Sequence, residues 1–193
     1  QRVSDPGRVA INLSLKELSQ ASFIPRCRSV FERHNVSASC VELEITETTL
    51  MLDAERTLPL LDELRSMGIH LSIDDFGTGY SSLSALQQFP ISTLKIDRSF
   101  VTNAATDPDD ATIVRTIIEM GRSLGLQVIA EGIETEEQRY FLLHSGCQMG
   151  QGRLFGDAIS SDAFLELLLR QATGEHPALK LPSFLAEGDP GKA

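Results

Sequence analysis

Acidic side chains stand at the ends of four apolar segments that follow one another along the chain. Each segment is typical of a buried β-strand, and its carboxylates lie in its last residues or directly after it. In a parallel sheet the carboxyl ends of the strands meet at one edge, where like charges repel. The pattern therefore predicts a cation site that compensates the carboxylates of Glu44, Asp74, Asp75, Asp97 and Glu131.

The side-chain types limit which cation fits. Asp, Glu and Asn offer oxygen ligands, and Asn12 at the end of the first predicted strand belongs to the same set. Oxygen ligands without nearby His or Cys favour Mg²⁺ or Mn²⁺ over zinc. The adjacent Asp74 and Asp75 are suited to bridging two ions, the arrangement used for in-line attack on phosphodiesters.

Alternation along the strands predicts where these side chains point. Residues two apart share a face, so Glu42 and Glu44 point the same way, as do Lys95 and Asp97. We expect Glu44 to point inward and Glu42 to lie lower or to be charge-paired. A lysine at 95 that faces an acidic mouth can hold a water or a phosphate oxygen.

Six short apolar segments alternate with amphipathic helical patterns. Six β-α units in series predict a parallel sheet with right-handed crossovers. The pattern alone fits both an open doubly wound sheet and a β/α barrel. The predicted strands are Val9–Leu13, Cys40–Thr46, Ile69–Ile73, Thr93–Ile96, Leu126–Ala130 and the less regular Gln148–Gly152.

Local signals predict helix ends. An apolar stripe over 113–124 indicates a helix capped by Asp109 or Asp110, and Thr135 with Gln138 indicates a capping box for the next helix. Another apolar run, over 164–169, indicates a final helix. Three glycines stand where helices are expected to end before the next strand: Gly68, Gly125 and Gly146.

Composition excludes several classes of function. With 17 basic and 27 acidic side chains, the 193-residue chain has a formal charge of −10, which argues against binding DNA through phosphate contacts. No apolar run is long enough to predict a membrane span within the chain, and the polar N-terminus does not read as a signal peptide. Three widely spaced cysteines favour a reducing compartment, so we expect a cytoplasmic location, alone or as part of a larger membrane-associated protein.

Six motifs in order along the chain resemble those of the EAL-domain cyclic di-GMP phosphodiesterases. The longest is IDDFGTGYSSL, over residues 73–83. Together the motifs extend from residue 11 to residue 152, nearly the whole chain except its C-terminal part. The other five are INLS (11–14), EITE (44–47), LKID (94–97), IAEGIE (129–134) and QG (151–152).

The resemblance implies a TIM-type β/α barrel that hydrolyses cyclic di-GMP to linear pGpG with two divalent cations, Mg²⁺ or Mn²⁺. It implies that Lys95 holds the attacking water with help from Glu131, and that Asp97 and Gln151 contact water or substrate. Glu47 would anchor the loop of Gly77 and Gly79, whose glycines allow a tight path. The metal ligands it implies are Asn12, Glu44, Asp74, Asp75 and Glu131.

The chain departs from the family pattern at two places. The Glu-Ala-Leu tripeptide, which carries a metal-binding glutamate, is absent, and we expect it upstream together with the first β-α elements. Residues 1–172 are then an incomplete barrel of about six of the usual eight β-α units, with two exposed sheet edges, followed by an irregular tail over 173–193. After Gln151-Gly152, Arg153 and a missing proline alter the last loop.

Three hypotheses follow from the sequence. The parent protein is a competent phosphodiesterase, of which this chain alone has weak or no turnover because a metal ligand is missing. Alternatively, it is a degenerate receptor that binds cyclic di-GMP without cutting it, or an interaction module that has lost the ligand. The resemblance further implies a homodimer, fused to sensor or GGDEF-type domains in the full-length protein.

Overall fold

A computed structural model describes residues 7–52, 54–79 and 83–172. Residues 7–157 form one compact unit, and residues 158–172 belong to a second. In the first unit six parallel strands form one sheet in the order β1-β2-β3-β4-β5-β6. The strands are β1 (Val9–Asn12), β2 (Val41–Thr46), β3 (His70–Phe76), β4 (Thr93–Ile96), β5 (Gln127–Ala130) and β6 (Met149–Gly150).

Helices connect the strands and cover the outer side of the sheet. Residues 38–40 form a single 3₁₀ turn before β2. The helices of the first unit are α1 (Leu15–Leu18), α2 (Phe23–His34), α3 (Glu47–Leu52), α4 (Ala54–Ser66), α5 (Leu83–Leu86), α6 (Arg98–Asn103), α7 (Pro108–Ser123) and α8 (Glu136–His144). The predicted final helix is present in the second unit as α9 (Ser161–Ala172).

The strand order decides between the two architectures that the sequence left open. A doubly wound sheet reverses its strand order at a switch point, whereas a β/α barrel adds each strand beside the preceding one. The unbroken order is that of a barrel segment. Among the described residues the sheet is left open with β1 and β6 at its edges, so the expected incomplete barrel of six strands is confirmed.

The central strands are the most deeply buried part of the sheet. Every residue of β4 is buried, and so are the four middle residues of β2. Their outward apolar side chains, among them Ile45 and Leu94, pack with Leu61 of α4 and Val114 of α7 in one core. The edge strand β1 is exposed along its length. The strands that carry Glu44 and Lys95 are therefore the most deeply buried ones.

The structure corrects two local predictions. The cap of α7 is Asp107, not Asp109 or Asp110: its carboxylate accepts the N–H groups of both, at 2.8 and 3.3 Å, and Pro108 opens the helix. Strand β3 does not end at Ile73 but continues to Phe76, with a shift of register between these residues. Asp74 and Asp75 thus lie within an irregular strand end and not after it.

Other local signals are confirmed. Thr135 and Gln138 form a reciprocal capping box at α8. The three helix-ending glycines have φ between 70° and 95°, which favours glycine. No helix in the described part of the chain combines the length and apolar character needed to cross a membrane. The predicted tail over 173–193 lies outside the described residues, and the boundary at 172 stays a prediction.

Candidate active site

The structure brings most of the predicted acidic residues together at the carboxyl end of the central strands. Glu44 comes from β2, Asp74 and Asp75 from the end of β3, Lys95 from β4, and Glu131 directly follows β5. Neighbouring strands of a sheet lie about 4.8 Å apart, so side chains on the same face of adjacent strands reach one another.

Lys95 lies at the centre of this group. Its Nζ is 2.6 Å from Glu44 Oε1 and 3.0 Å from Asp74 Oδ1, and it also pairs with Glu131 Oε1. The lysine side chain is only 4% exposed. Burial on its own lowers the pKa of Lys95, but the three carboxylates outweigh it and hold that pKa above its ordinary value. Lys95 is therefore a buried cation.

Three carboxylates beside Lys95 are close enough to share a cation. Asp74, Asp75 and Glu131 each place one oxygen within 4.8 Å of the others. Burial is the main reason that the pKa of Asp75 is raised, followed by the charge of Asp74 and contact with Asp97. Burial also raises the pKa of Glu131, although Lys95 opposes it. Both shifts are caused mainly by burial, and neighbouring carboxylates add to them.

One oxygen in this group is an ion-pair partner of Lys95 but accepts no hydrogen bond from the described residues. Asp74 Oδ1 is buried and, among the described residues, has no hydrogen bond. Its contact with Lys95 at 3.0 Å has the distance of an ion pair without the angles of a hydrogen bond. A buried, unsatisfied carboxylate oxygen within a set of hard oxygen donors fits a divalent cation.

Glu47 connects the start of α3 to the loop after Asp75. It is 2% exposed, and its Oε2 accepts the N–H groups of Gly77 at 2.9 Å and Gly79 at 3.2 Å. Gly77 has φ of 101°, and a Cβ there would lie 2.8 Å from a ring carbon of Phe100. Asp75 itself has φ of 53°, a strained value for a residue other than glycine. These contacts hold the strand end in a conformation that presents Asp75.

The remaining predicted residues lie at different distances from the cluster. Gln151 Nε2 donates to Glu131 Oε1 at 2.7 Å. Asp97 caps α6 by accepting the N–H group of Ser99 at 2.9 Å. Burial on its own raises the pKa of Asp97, but the hydrogen bonds from Ser99 outweigh burial and lower that pKa. Asn12 pairs with Glu44 in register, yet it is exposed and, in the described structure, its side chain makes no hydrogen bond.

Three supporting residues were not singled out from the sequence. The contact of Ser99 could have been expected, because an Asp at an N-cap accepts the backbone N–H of the second or third helical residue. Phe100 packs against the Gly77 loop, and Arg8 pairs with Glu42 at 3.0 Å, so the expected charge pairing of Glu42 is confirmed. Contacts between residues so far apart in sequence leave no local signal.

The chain is similar to known proteins of one family. The EAL domain profile matches residues 1–158. The bifunctional diguanylate cyclase/cyclic di-GMP phosphodiesterase MucR of Pseudomonas aeruginosa is 45% identical over 157 residues, which are 81% of this chain and 23% of that protein. The cyclic di-GMP phosphodiesterase NbdA of the same organism is 41% identical over 173 residues, 90% of this chain and 22% of that protein. This chain thus spans less than a quarter of the length of these relatives.

Solved structures show the same fold. The MucR phosphodiesterase in complex with c-di-GMP superposes with a TM-score of 0.78, covering 81% of this chain and 63% of that one. A manganese and cyclic di-GMP complex of Klebsiella pneumoniae BlrP1, 31% identical, superposes with a TM-score of 0.71 and covers 76% of this chain and 38% of that one. With the family match extending over residues 1–158 and the fold shared at this level, the chain belongs to the EAL domain family.

Proposed function

We propose that the protein containing this chain hydrolyses cyclic di-GMP to linear pGpG in a reaction that depends on divalent cations. The observation that carries the proposal is the half-buried cluster of Glu44, Asp74, Asp75 and Glu131 around the buried Lys95 at the strand ends. MucR and NbdA are both named as cyclic di-GMP phosphodiesterases, which supports the same substrate here.

The residues of the cluster fit two divalent cations, Mg²⁺ or Mn²⁺. When bound, such ions lower the pKa of a water and neutralise phosphate charge. Asp74, Asp75 and Glu131 offer the converging oxygens, and Glu44 offers another from the next strand. Asn12 would complete the set from the end of β1. The manganese and calcium complexes of BlrP1 support a divalent ion in this family, and the choice of Mg²⁺ or Mn²⁺ here is part of the proposal.

Lys95 and Glu131 act on the attacking water in this proposal. The ammonium group of Lys95 donates to the water oxygen, and Glu131 accepts its proton. The raised pKa of Glu131, caused mainly by burial, makes this carboxylate a better proton acceptor. Gln151 donates to Glu131 Oε1 and keeps it oriented. Asp97 supports the site from the start of α6, beside Asp75.

The bond changes follow in-line displacement at one phosphodiester. The water oxygen forms a bond to phosphorus while the bond from phosphorus to a ribose 3′-oxygen breaks. The departing 3′-oxygen takes up a proton from solvent, Glu131 later releases the proton of the attacking water to solvent, and the product keeps a 5′-phosphate. An acidic protein with a formal charge of −10 repels a dianionic substrate, so the cations are also needed for binding.

We also infer the setting of the domain. The chain covers 23% of MucR, whose name combines a diguanylate cyclase with the phosphodiesterase, which supports fusion to a GGDEF-type or sensor domain. Three free thiols, Cys27, Cys40 and Cys147, support a reducing, cytoplasmic setting. Fractionation of cells that express the full-length protein tests this: domain-bearing fragments in an oxidising compartment would contradict it.

The activity is tested by comparing this chain with a protein extended upstream in its native reading frame by roughly 60–70 residues, about two β-α units. Cyclic di-GMP and pGpG are separated by chromatography after incubation with Mg²⁺ or Mn²⁺. We expect turnover by the extended protein and little or none by the chain alone. Lys95→Ala in the extended protein should reduce kcat at least about 100-fold, since it removes the group that holds the water.

Lys16→Ala provides the matched control, because Lys16 is exposed and lies outside the cluster. It should leave kcat unchanged. Full activity of the Lys95→Ala protein would remove lysine from the mechanism. Nucleotide binding without cleavage by the extended protein would establish the receptor hypothesis instead, and absence of binding would leave only the interaction module.

Glu47→Ala should destabilise the loop that follows Asp75. The substitution leaves the N–H groups of Gly77 and Gly79 without their charged acceptor, which should lower the free energy of unfolding by roughly 3 kcal/mol. Hydrolysis by the extended protein should fall as well, because Asp75 loses its support. Urea unfolding measures the first effect. Glu119→Ala, which removes an exposed ion pair with Arg122, should change stability by less than about 0.5 kcal/mol; equal effects of the two substitutions would refute the role of Glu47.

We propose that this chain on its own forms a homodimer through the β1 edge, which we expect the upstream β-α elements to cover in the extended protein. Val9 and Ile11 are 58% and 48% exposed on a strand with no described neighbour on its outer side. Light scattering on this chain should give the mass of two copies, and Ile11→Lys should shift it toward one copy. Val36→Lys, at an exposed apolar residue outside the strands, should not. One copy at every concentration would contradict this dimer.

A further inference from the structure

Lys95 is the central positive charge of the carboxylate cluster. Its side chain is 4% exposed, and the three carboxylates that it contacts are 10%, 13% and 14% exposed. Glu44, Asp74 and Glu131 have no other ion-pair partner among the described residues. A buried carboxylate that loses its partner is strongly destabilising. The lysine therefore stabilises the fold when no metal ion is present.

Lys95 cannot keep this position when divalent cations occupy the site. Carboxylate oxygens hold divalent cations at about 2.0–2.6 Å. Lys95 Nζ contacts one oxygen each of Asp74 and Glu131, two of the three carboxylates that converge here. An ammonium group that stayed there would lie beside a doubly charged ion, with strong repulsion in a buried site. Lys95 and the cation therefore compete for the same carboxylates.

We propose that Lys95 is the counter-ion of the metal-free site and that it leaves these carboxylates when divalent cations bind. The inference rests on the proposed function, because it uses the same ligands. It adds that loading and catalysis are coupled: the ammonium group is occupied by carboxylates until the cations replace it. Only then can Lys95 donate to a water. The coupling would prevent the lysine from adopting its working position in an unloaded domain.

The proposal makes a prediction opposite to that of a simple supporting lysine. If Lys95 only held the carboxylates in place for the metal, its removal would weaken metal binding. If it competes with the metal, its removal strengthens binding. Lys95→Met separates the two, since methionine is unbranched like lysine, fills a similar buried volume and carries no charge.

The experiment compares Mn²⁺ binding and thermal unfolding of the wild-type chain and Lys95→Met. In chelator the variant should unfold roughly 6–15 °C below wild type, because three buried carboxylates lose their counter-ion. The variant should bind Mn²⁺ at least about tenfold more tightly than wild type. The paramagnetic resonance signal of the free ion measures this binding. Mn²⁺ should raise the unfolding temperature of the variant more than that of wild type.

Arg8→Met is the matched control. Arg8 is the partner of Glu42, which lies on the same face of β2 as Glu44 but outside the group of converging oxygens. This variant removes a carboxylate's counter-ion without touching the metal ligands. It should lower stability, and its Mn²⁺ affinity should stay within about twofold of wild type.

A measurement on the wild-type chain covers the case in which Lys95→Met does not fold. With ¹⁵N-labelled lysine, Mg²⁺ should shift the side-chain ammonium resonance of Lys95 and leave that of Lys16 unchanged. A Lys95 resonance that does not respond to saturating Mg²⁺ overturns the proposal. Equal or weaker Mn²⁺ binding by Lys95→Met also overturns it.

The outcomes keep the inference separate from the proposed function. Tighter Mn²⁺ binding by Lys95→Met, with no hydrolysis by the extended wild-type protein, supports the counter-ion role and refutes the phosphodiesterase. Hydrolysis by the extended protein, with equal Mn²⁺ affinity in the wild-type chain and Lys95→Met, supports the phosphodiesterase and refutes the counter-ion role.

Discussion

The convergence of carboxylates at one end of a parallel sheet is the constraint on which this structure depends. The carboxylates come from the ends of different strands, and parallel pairing brings these ends to the same edge of the sheet. The three residues are Glu44, Asp74 and Glu131. Their mutual repulsion must be offset by positive charge, and in the buried centre Lys95 supplies it. Without a metal ion, the lysine alone among the described residues compensates these carboxylates. The proposed hydrolysis requires divalent metal ions at the same carboxylates.

The rest of the domain supports that cluster. The best-buried strands, β2 and β4, carry Glu44 and Lys95, so their backbones are fixed by the core. The irregular end of β3 is held from the side by Glu47 through two loop N–H groups. Gln151 performs a similar task for Glu131 from the last loop. Positions of the charged groups are thus set by buried, hydrogen-bonded neighbours and not by the charges alone.

Much of the fold could be predicted from the sequence because its signals are local. Apolar runs separated by amphipathic helices predicted six parallel strands, and glycines marked the helix ends, but the pattern left the order of the strands in the sheet open. The extension of β3 through Asp75 was missed, because a register shift depends on the neighbouring strand. The contacts of Lys95 with three carboxylates join side chains that are far apart in sequence, so they form only when the strands pair. Asn12 is exposed on the edge strand β1, and this edge was predicted only through the resemblance to the family.

We propose that these carboxylates bind the divalent cations of a cyclic di-GMP phosphodiesterase. Anomalous diffraction at the manganese edge, from crystals of the upstream-extended protein with Mn²⁺ and cyclic di-GMP, tests this proposal. We expect manganese peaks about 2.0–2.6 Å from oxygens of Asp74, Asp75 and Glu131, beside a phosphate of the nucleotide. Nucleotide bound with no manganese at these oxygens would contradict it.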